Sequence, residues 1–186
     1  MRESPPAFPG AHASEERRAE MLRVDHAGEF GAVQIYRGQR AVFDRVSGMH
    51  ETADLIAEME AGEQIHLETF DRLLAERQVR PTLMAPVWRI AGFGLGAATA
   101  LMGEKAAHAC TAAVEEVIEE HYAKQSAALG EEDRELKAII DQFRADEMAH
   151  RDTAIDHGAK EAPAYPVLSA IIKFGCRTAI RISEKI

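Results

Sequence analysis

Two stretches of the sequence decide the fold: "AGEQIHLET" at residues 61–69 and "ADEMAHRDT" at residues 145–153. Each contains a glutamate followed three positions later by a histidine, and the pairs are Glu63 with His66 and Glu147 with His150. Residues three apart lie on one face of an α-helix, so each pair can bind one side of a metal ion. One Glu-x-x-His is a weak signal, because both residue types are common on helix surfaces. Two copies indicate an internal repeat.

The repeat continues upstream of each histidine motif. The segments "AGEFGAVQIYRGQ" (27–39) and "AVEEVIEEHYAKQ" (113–125) both follow the pattern A-x-E-x6-Y-x2-Q. Their aligned glutamates are Glu29 and Glu115, and the register excludes the other glutamates of the second segment. The repeat therefore predicts two helix pairs, each carrying one Glu and then one Glu-x-x-His.

Composition indicates an all-α protein. The chain has 186 residues, 46% hydrophobic but only 6% aromatic, and it lacks alternating runs and hairpin-turn dipeptides. Its net charge of −9 argues against a nucleic-acid partner. The two cysteines, Cys110 and Cys176, are isolated in the sequence, which predicts reduced structural thiols.

Helix start and stop signals predict six helices in one domain over residues 14–186, after a flexible lead-in at residues 1–13. The predicted helices span 14–44, 51–78, 82–103, 105–129, 132–157 and 165–183. The helix pairs over 14–78 and 105–158 form the predicted bundle, and the apolar helix 82–103 is the crossover between them.

The motif set matches a ferritin-like four-helix bundle with a dimetal carboxylate site, in which two helices give one Glu each and two give Glu-x-x-His. Four carboxylates balance two divalent ions. Because each lies next to its own histidine, Glu63 and Glu147 are expected to bridge the ions, with Glu29 and Glu115 as terminal ligands. Oxygen and nitrogen ligands without thiolate suit iron or manganese, and the ligand types do not separate the two.

Three further residues are candidates to support the ligands. Asp146 is expected to hydrogen-bond a metal-bound histidine from outside the site. Tyr36 and Tyr122 lie seven residues after the terminal glutamates, and either hydrogen-bond the ligands or belong to the core. Among the other histidines, four are considered and left out of the predicted site: His26, His108, His121 and His157.

Two helices outside the bundle indicate contact with a membrane surface. Residues 82–103 carry one charge, Arg89, and are nearly long enough to span a bilayer, but a crossing would separate the two halves of the site. We therefore expect this helix to lie in the interface. The helix 165–183 and the residues after it place basic side chains four apart, at Lys173, Arg177, Arg181 and Lys185, which is typical of membrane-surface helices. A core crossover with a solvated charged face is the alternative.

Four segments resemble the demethoxyubiquinone hydroxylases of ubiquinone biosynthesis. They are "RVDHAGEFGA" (23–32), "RPTLMAPVW" (80–88), "ACTAAVEEVIEEHY" (109–122) and "DHGAKEAPAYPVL" (156–168). The resemblance implies a ferritin-like, O2-dependent monooxygenase with two iron ions, bound peripherally to the membrane. It implies hydroxylation of the ring of a polyprenylated 6-methoxy-3-methyl-1,4-benzoquinol. The family's iron ligands fall on the same six residues that the repeat selects.

The resemblance also sets expectations about partners and location. A short N-terminus without a targeting extension predicts a bacterial protein on the cytoplasmic side of the inner membrane. The candidate partners are the family's lipid-binding accessory protein and a second copy of the chain, and the sequence does not specify the oligomeric state. The electrons would come from NADH or through the quinol, and no Gly-x-Gly-x-x-Gly motif is present. The alternatives are a ferritin-like oxidase or peroxidase, and a non-catalytic quinone-lipid carrier on the membrane surface.

Overall fold

A computed structural model describes residues 14–186, and within that range it contains six α-helices and no strand. The helices are α1 (Glu15–Phe43), α2 (His50–Glu76), α3 (Ala85–Leu101), α4 (Glu104–Ala128), α5 (Arg134–Asp156) and α6 (Tyr165–Ser183). The predicted all-α class is confirmed for these residues. The predicted flexible lead-in, residues 1–13, lies outside the described part of the chain.

The helix ends follow local sequence signals. Ser14 caps α1 by accepting a hydrogen bond from the Arg17 amide at 3.2 Å. After α5, Gly158 adopts φ +86°, a left-handed conformation that glycine reaches without a steric penalty. The α3 helix begins at Ala85, three residues later than the sequence predicts. The Thr82 hydroxyl accepts a hydrogen bond from the Met84 amide at 3.2 Å, which forms a turn before the helix.

The helices form two packed pairs. Helix α1 packs against α2, α4 packs against α5, and α1 also contacts α4. Their shared core contains the fully buried residues Leu22, Ile56, Phe70, Leu136 and Ile140. Outside this arrangement, α3 lies along α1 and α6 lies along α4. The crossover helix thus connects the pairs while covering one of them.

Glycines allow α1 and α3 to approach closely. A Cβ atom on Gly96 of α3 would overlap the backbone carbonyl of Ile35 in α1, and one on Gly38 of α1 would overlap the Phe93 carbonyl in α3. The backbones meet directly at these points, so a side chain at either position would force the helices apart. Within the apolar stretch, Gly96 therefore serves helix packing, whereas Gly94 faces open space.

The basic residues of the C-terminal segment do not form an unpaired stripe. Lys173 pairs with Glu116 at 2.6 Å, and Arg177 pairs with Glu120 at 3.1 Å. Lys185, just after α6, pairs with a glutamate of α1. These acids compensate most of the positive charge that the sequence presents, so the electrostatic reason for membrane binding is weaker than the spacing predicts.

Apolar side chains are instead what α3 and α6 leave exposed. We define the apolar face by the exposed residues Leu83, Val87, Ile90, Phe93, Leu101, Val167, Ile171 and Phe174. A hydrogen bond of 3.0 Å from the Trp88 indole to the Ser183 hydroxyl joins the two helices. Among residues 14–186, no helix combines the length and apolarity that crossing a bilayer requires.

Matched alanine substitutions test the α1–α3 contact. We expect Gly96→Ala to lower the free energy of unfolding by about 1–3 kcal/mol, because the added Cβ meets a backbone carbonyl. Gly94→Ala adds the same methyl group in open space on the same helix and should raise it by about 0.5–1 kcal/mol through helix propensity. Urea denaturation followed by circular dichroism measures both. Equal effects of the two substitutions would contradict the close approach.

Candidate metal centre

The six residues selected by the repeat converge inside the bundle. Their side chains form two groups in which the potential ligand atoms lie within 4.8 Å of one another. The first group contains Glu29, Glu63, His66 and Glu147, and the second contains Glu63, Glu115, Glu147 and His150. Two glutamates, Glu63 and Glu147, belong to both groups. The geometry therefore offers two adjacent metal positions with two shared carboxylates.

Both histidines direct Nδ1 toward the carboxylates. His66 Nδ1 lies 3.1 Å from Glu147 Oε1 and 3.6 Å from an oxygen of Glu63. His150 Nδ1 lies 2.8 Å from Glu63 Oε1 and 3.6 Å from Glu147 Oε2. Each imidazole therefore contacts the glutamate of its own motif and that of the opposite motif. Helices α2 and α5 therefore each bring the same one-turn motif to the site.

Burial and mutual repulsion shift the protonation of the site. Burial raises the pKa of Glu29 to about 7 and raises that of Glu115 well above its ordinary value, with neighbouring carboxylates adding to both shifts. Burial alone would lower the pKa of His150, but Glu147 and Glu63 outweigh it and raise the value to about 10. The same opposing causes raise the pKa of His66. Metal ions would displace the protons that these shifts retain.

The donor atoms also fit a metal site because hydrogen bonding leaves them unsatisfied. Within residues 14–186, each of the six side chains has at least one buried nitrogen or oxygen without a hydrogen-bond partner. Both carboxylate oxygens of Glu63 and of Glu147 are in this state. A buried polar atom without a partner costs about 1–3 kcal/mol, so a cluster of such atoms fits a site that binds cations.

The two tyrosines bond the terminal glutamates of the opposite half. The Tyr36 hydroxyl donates to Glu115 Oε1 at 2.6 Å, and the Tyr122 hydroxyl donates to Glu29 Oε1. Both rings are fully buried, so the tyrosines are at once core residues and hydrogen-bond donors to the site. Each fixes one oxygen of its glutamate and leaves the other oxygen for a ligand.

The two histidines differ in the residue that lies next to the ring on the side away from the carboxylates. His66 Nε2 is 3.3 Å from Asp146 Oδ2, and Gln142 donates to the other oxygen of this aspartate at 3.0 Å. In the repeat, the position of Asp146 is taken by Gly62 in the first half. The Cα of Gly62 faces the His150 ring and offers it no side chain. One imidazole therefore has a carboxylate behind it, and the other does not.

The histidines that the sequence left out of the site lie elsewhere. His26 Nε2 bonds Asp71 at 2.9 Å between α1 and α2. His108 and His157 contact each other with ring centroids 5.4 Å apart. None of these residues belongs to either metal group. His121 also lies outside both groups, but it lines the cavity described next.

A cavity of about 400 Å³ lies between α1, α3, α4 and α6. Most of its wall is aliphatic or glycine, and Trp88 is part of it. The polar wall residues include Asp25, His121 and Tyr122. Because the Tyr122 hydroxyl bonds Glu29, one side chain contacts both the cavity and the metal site. Tyr122 therefore lies between the cavity and Glu29.

Sequence reasoning missed the polar group in the cavity wall. Gln125 Nε2 donates to Asp25 Oδ1 at 2.7 Å, and His121 Nε2 lies 3.6 Å from the same oxygen. Burial lowers the pKa of His121 to about 4, with nearby cations adding to the shift. Gln125 is the last position at which the two halves of the repeat match, but nothing in the sequence indicated its partner.

Comparison with known proteins identifies relatives along most of the chain. The family model described as "Ubiquinone biosynthesis protein COQ7" matches residues 16–183. The 3-demethoxyubiquinol 3-hydroxylase of Rhodospirillum rubrum is 53% identical over 165 residues, covering 89% of this chain and 76% of the relative. The mitochondrial NADPH-dependent 3-demethoxyubiquinone 3-hydroxylase of Homo sapiens is 48% identical over 170 residues, with the same coverage of 89% and 76%.

A relative of nearly equal length extends the similarity. The Caenorhabditis elegans protein with the same name as the human one is 42% identical over 184 residues, covering 95% of this chain and 96% of the relative. The resemblance carried by the sequence motifs is confirmed. This chain belongs to the family described as ubiquinone biosynthesis protein COQ7.

Proposed function

We propose that this protein is a 3-demethoxyubiquinol 3-hydroxylase that uses two iron ions and O2. The observation that carries the proposal is the pair of metal positions sharing Glu63 and Glu147, beside an apolar cavity that Tyr122 links to Glu29. The names of the relatives support the reaction, since they describe hydroxylation of demethoxyubiquinol or demethoxyubiquinone. The chain over residues 14–186 would act as one ferritin-like unit.

The six ligands and three supporting side chains would have different roles at the metal centre. Glu63 and Glu147 would bridge the ions, Glu29 and Glu115 would bind one ion each, and the histidines would complete the two positions. When bound, two iron ions supply activation of O2 for insertion of one oxygen atom into a C–H bond. Tyr36 and Tyr122 would keep the terminal glutamates oriented, and Asp146 would hold the ring of His66 through its outer nitrogen.

The reaction balances with an external source of electrons. The ring C–H bond becomes C–OH, the second oxygen atom of O2 leaves as water, and two electrons and two protons are consumed. The sequence led us to NADH or the quinol itself as the donor, whereas the human relative is named as NADPH-dependent. We therefore propose a nicotinamide nucleotide as the electron source, without assigning it a binding site.

The substrate explains the apolar elements outside the bundle. A polyprenylated quinol remains in the membrane, and the apolar cavity between α3 and α6 would admit its ring while the tail stays in lipid. The apolar face would dock peripherally on the inner membrane, at its cytoplasmic side in a bacterium. A lipid-binding accessory protein and a second copy of the chain remain candidate partners.

Metal binding tests the centre directly. We expect wild-type protein reconstituted anaerobically to bind two Fe(II) ions per chain and to gain thermal stability, because binding to the folded state alone stabilises it by about 2.7 kcal/mol at 100 times Kd. Glu147→Ala removes a ligand common to both groups and should lose both ions and the stabilisation. Glu116→Ala, on the same helix as Glu115 but outside both groups, is the control and should retain them. Metal analysis and calorimetry provide the measurements.

Oxygen labelling tests the reaction. Iron-loaded protein, incubated with a short-chain demethoxyubiquinol, NADH or NADPH and 18O2, should give product with one labelled hydroxyl, as measured by mass spectrometry. Unlabelled hydroxyl, or consumption of O2 without ring oxidation, would contradict the proposal. The second result would favour a ferritin-like oxidase. A quinone carrier would instead leave the quinone profile of cells intact when Glu147→Ala replaces the wild type.

Vesicle flotation tests the docking surface. The double substitution Ile90→Ser and Phe174→Ser removes two side chains that are 73% and 72% exposed, and should reduce binding to lipid vesicles about tenfold or more. Ile65→Ser removes a side chain that is 63% exposed on α2, and should leave binding unchanged. Because most of the α6 charges are paired, added salt should have little effect on the wild type. Binding that salt abolishes would contradict docking by the apolar face.

A further inference from the structure

We infer that Asp25 binds a ring oxygen of the quinol and thereby orients the ring toward Glu29. This inference rests on the proposed function and names a binding residue within the cavity. Asp25 is only 3% exposed, yet it lines the otherwise mostly apolar cavity. It lies outside both metal groups, so the metal centre does not account for it.

Asp25 has one oxygen available for a ligand. Its Oδ1 accepts the hydrogen bond from Gln125 at 2.7 Å. Its Oδ2 is buried and has no hydrogen-bond partner among residues 14–186. Burial raises the pKa of this carboxyl group well above its ordinary value. Such a group can accept from a hydroxyl when ionised and donate to a carbonyl when protonated, so it can bind either redox form of the ring.

The position of Asp25 on α1 determines where the bound ring would lie relative to Glu29. Asp25 lies four residues before Glu29, so the two side chains share one face of the helix about one turn apart. Both are buried. If Asp25 binds a ring oxygen, the ring lies against the cavity wall next to Asp25. It is then on the side of the candidate metal centre where Glu29 lies.

A comparison of the two halves of the repeat distinguishes a structural role for Asp25 from a role in binding. In the second half, Thr111 occupies the position four residues before Glu115. Gln39, the counterpart of Gln125, lies within hydrogen-bond distance of Thr111 Oγ1 at 3.5 Å and also donates to a backbone carbonyl. A neutral hydroxyl therefore suffices as the partner of this glutamine. The carboxylate appears only on the side that faces the cavity, where its second oxygen remains unused.

A ligand-and-variant cycle tests the inference. The iron-loaded full chain is titrated anaerobically with a short-chain demethoxyubiquinol, and with an analogue in which hydrogens replace both ring hydroxyls. Trp88 is the only tryptophan in the chain and lines the cavity, so its fluorescence reports binding. For the wild type, removal of the hydroxyls should weaken binding about 10- to 100-fold, the range for a hydrogen bond to a charged group.

Valine substitutions provide a matched pair of variants. Asp25→Val should weaken binding of the quinol by the same factor and leave binding of the analogue unchanged, so that the variant no longer distinguishes the two ligands. Thr111→Val removes the partner of the equivalent glutamine away from the cavity, and should behave like the wild type. Asp25→Thr keeps a partner for Gln125 and replaces Asp25→Val if the latter fails to fold. It should lose about tenfold in quinol affinity.

The outcomes separate this inference from the proposed function. If the wild type binds both ligands and Asp25→Val retains the full preference for the quinol, Asp25 does not bind the ring and only this inference fails. If the wild type binds neither ligand, the cavity is not the substrate site and the inference fails with that part of the proposed function. Loss of preference in Asp25→Val but not in Thr111→Val supports the inference.

Discussion

The structure depends on the electrostatic balance among four buried carboxylates and two buried imidazoles. Four negative charges in a bundle core repel one another and lose their hydration, so the fold tolerates them only with compensation. Protonated histidines and retained carboxyl protons provide part of that compensation within the chain. The two tyrosines provide a further part as hydrogen-bond donors. The remaining unpartnered oxygens and nitrogens are those that two cations would satisfy.

The internal repeat explains how one short motif builds this site. Each half provides a terminal glutamate and a Glu-x-x-His, and each half bonds its tyrosine to the glutamate of the other. The halves then diverge at specific positions. Asp146 lies behind His66 where Gly62 faces His150, and Asp25 faces the cavity where Thr111 occupies the equivalent position. The shared positions form the candidate metal site, and the divergent positions distinguish its two sides.

Helices α3 and α6 carry most of the large apolar side chains that the described residues leave exposed. Glycine contacts hold α3 directly against the backbone of α1, which leaves the larger apolar side chains of α3 exposed. The basic residues of α6 are mostly engaged by acids of α4, so its exposed surface is also largely apolar. The cavity lies between these two helices and the bundle, and its mostly apolar wall includes the polar side chains of Asp25, His121 and Tyr122.

The sequence by itself determined the all-α class, the positions of the six helices to within a few residues, and the six candidate ligands. It could do so because helical period, capping residues and a matched repeat are local or internally redundant signals. The sequence also predicted that Glu63 and Glu147 are the shared carboxylates, and both belong to the two groups. Only the tertiary structure decided that the histidine next to Asp146 is His66, and that most of the charges of α6 are paired. The polar group around Asp25 was also invisible in the sequence. Its members come from α1 and α4, a hundred residues apart, and only the packing of those helices brings them together.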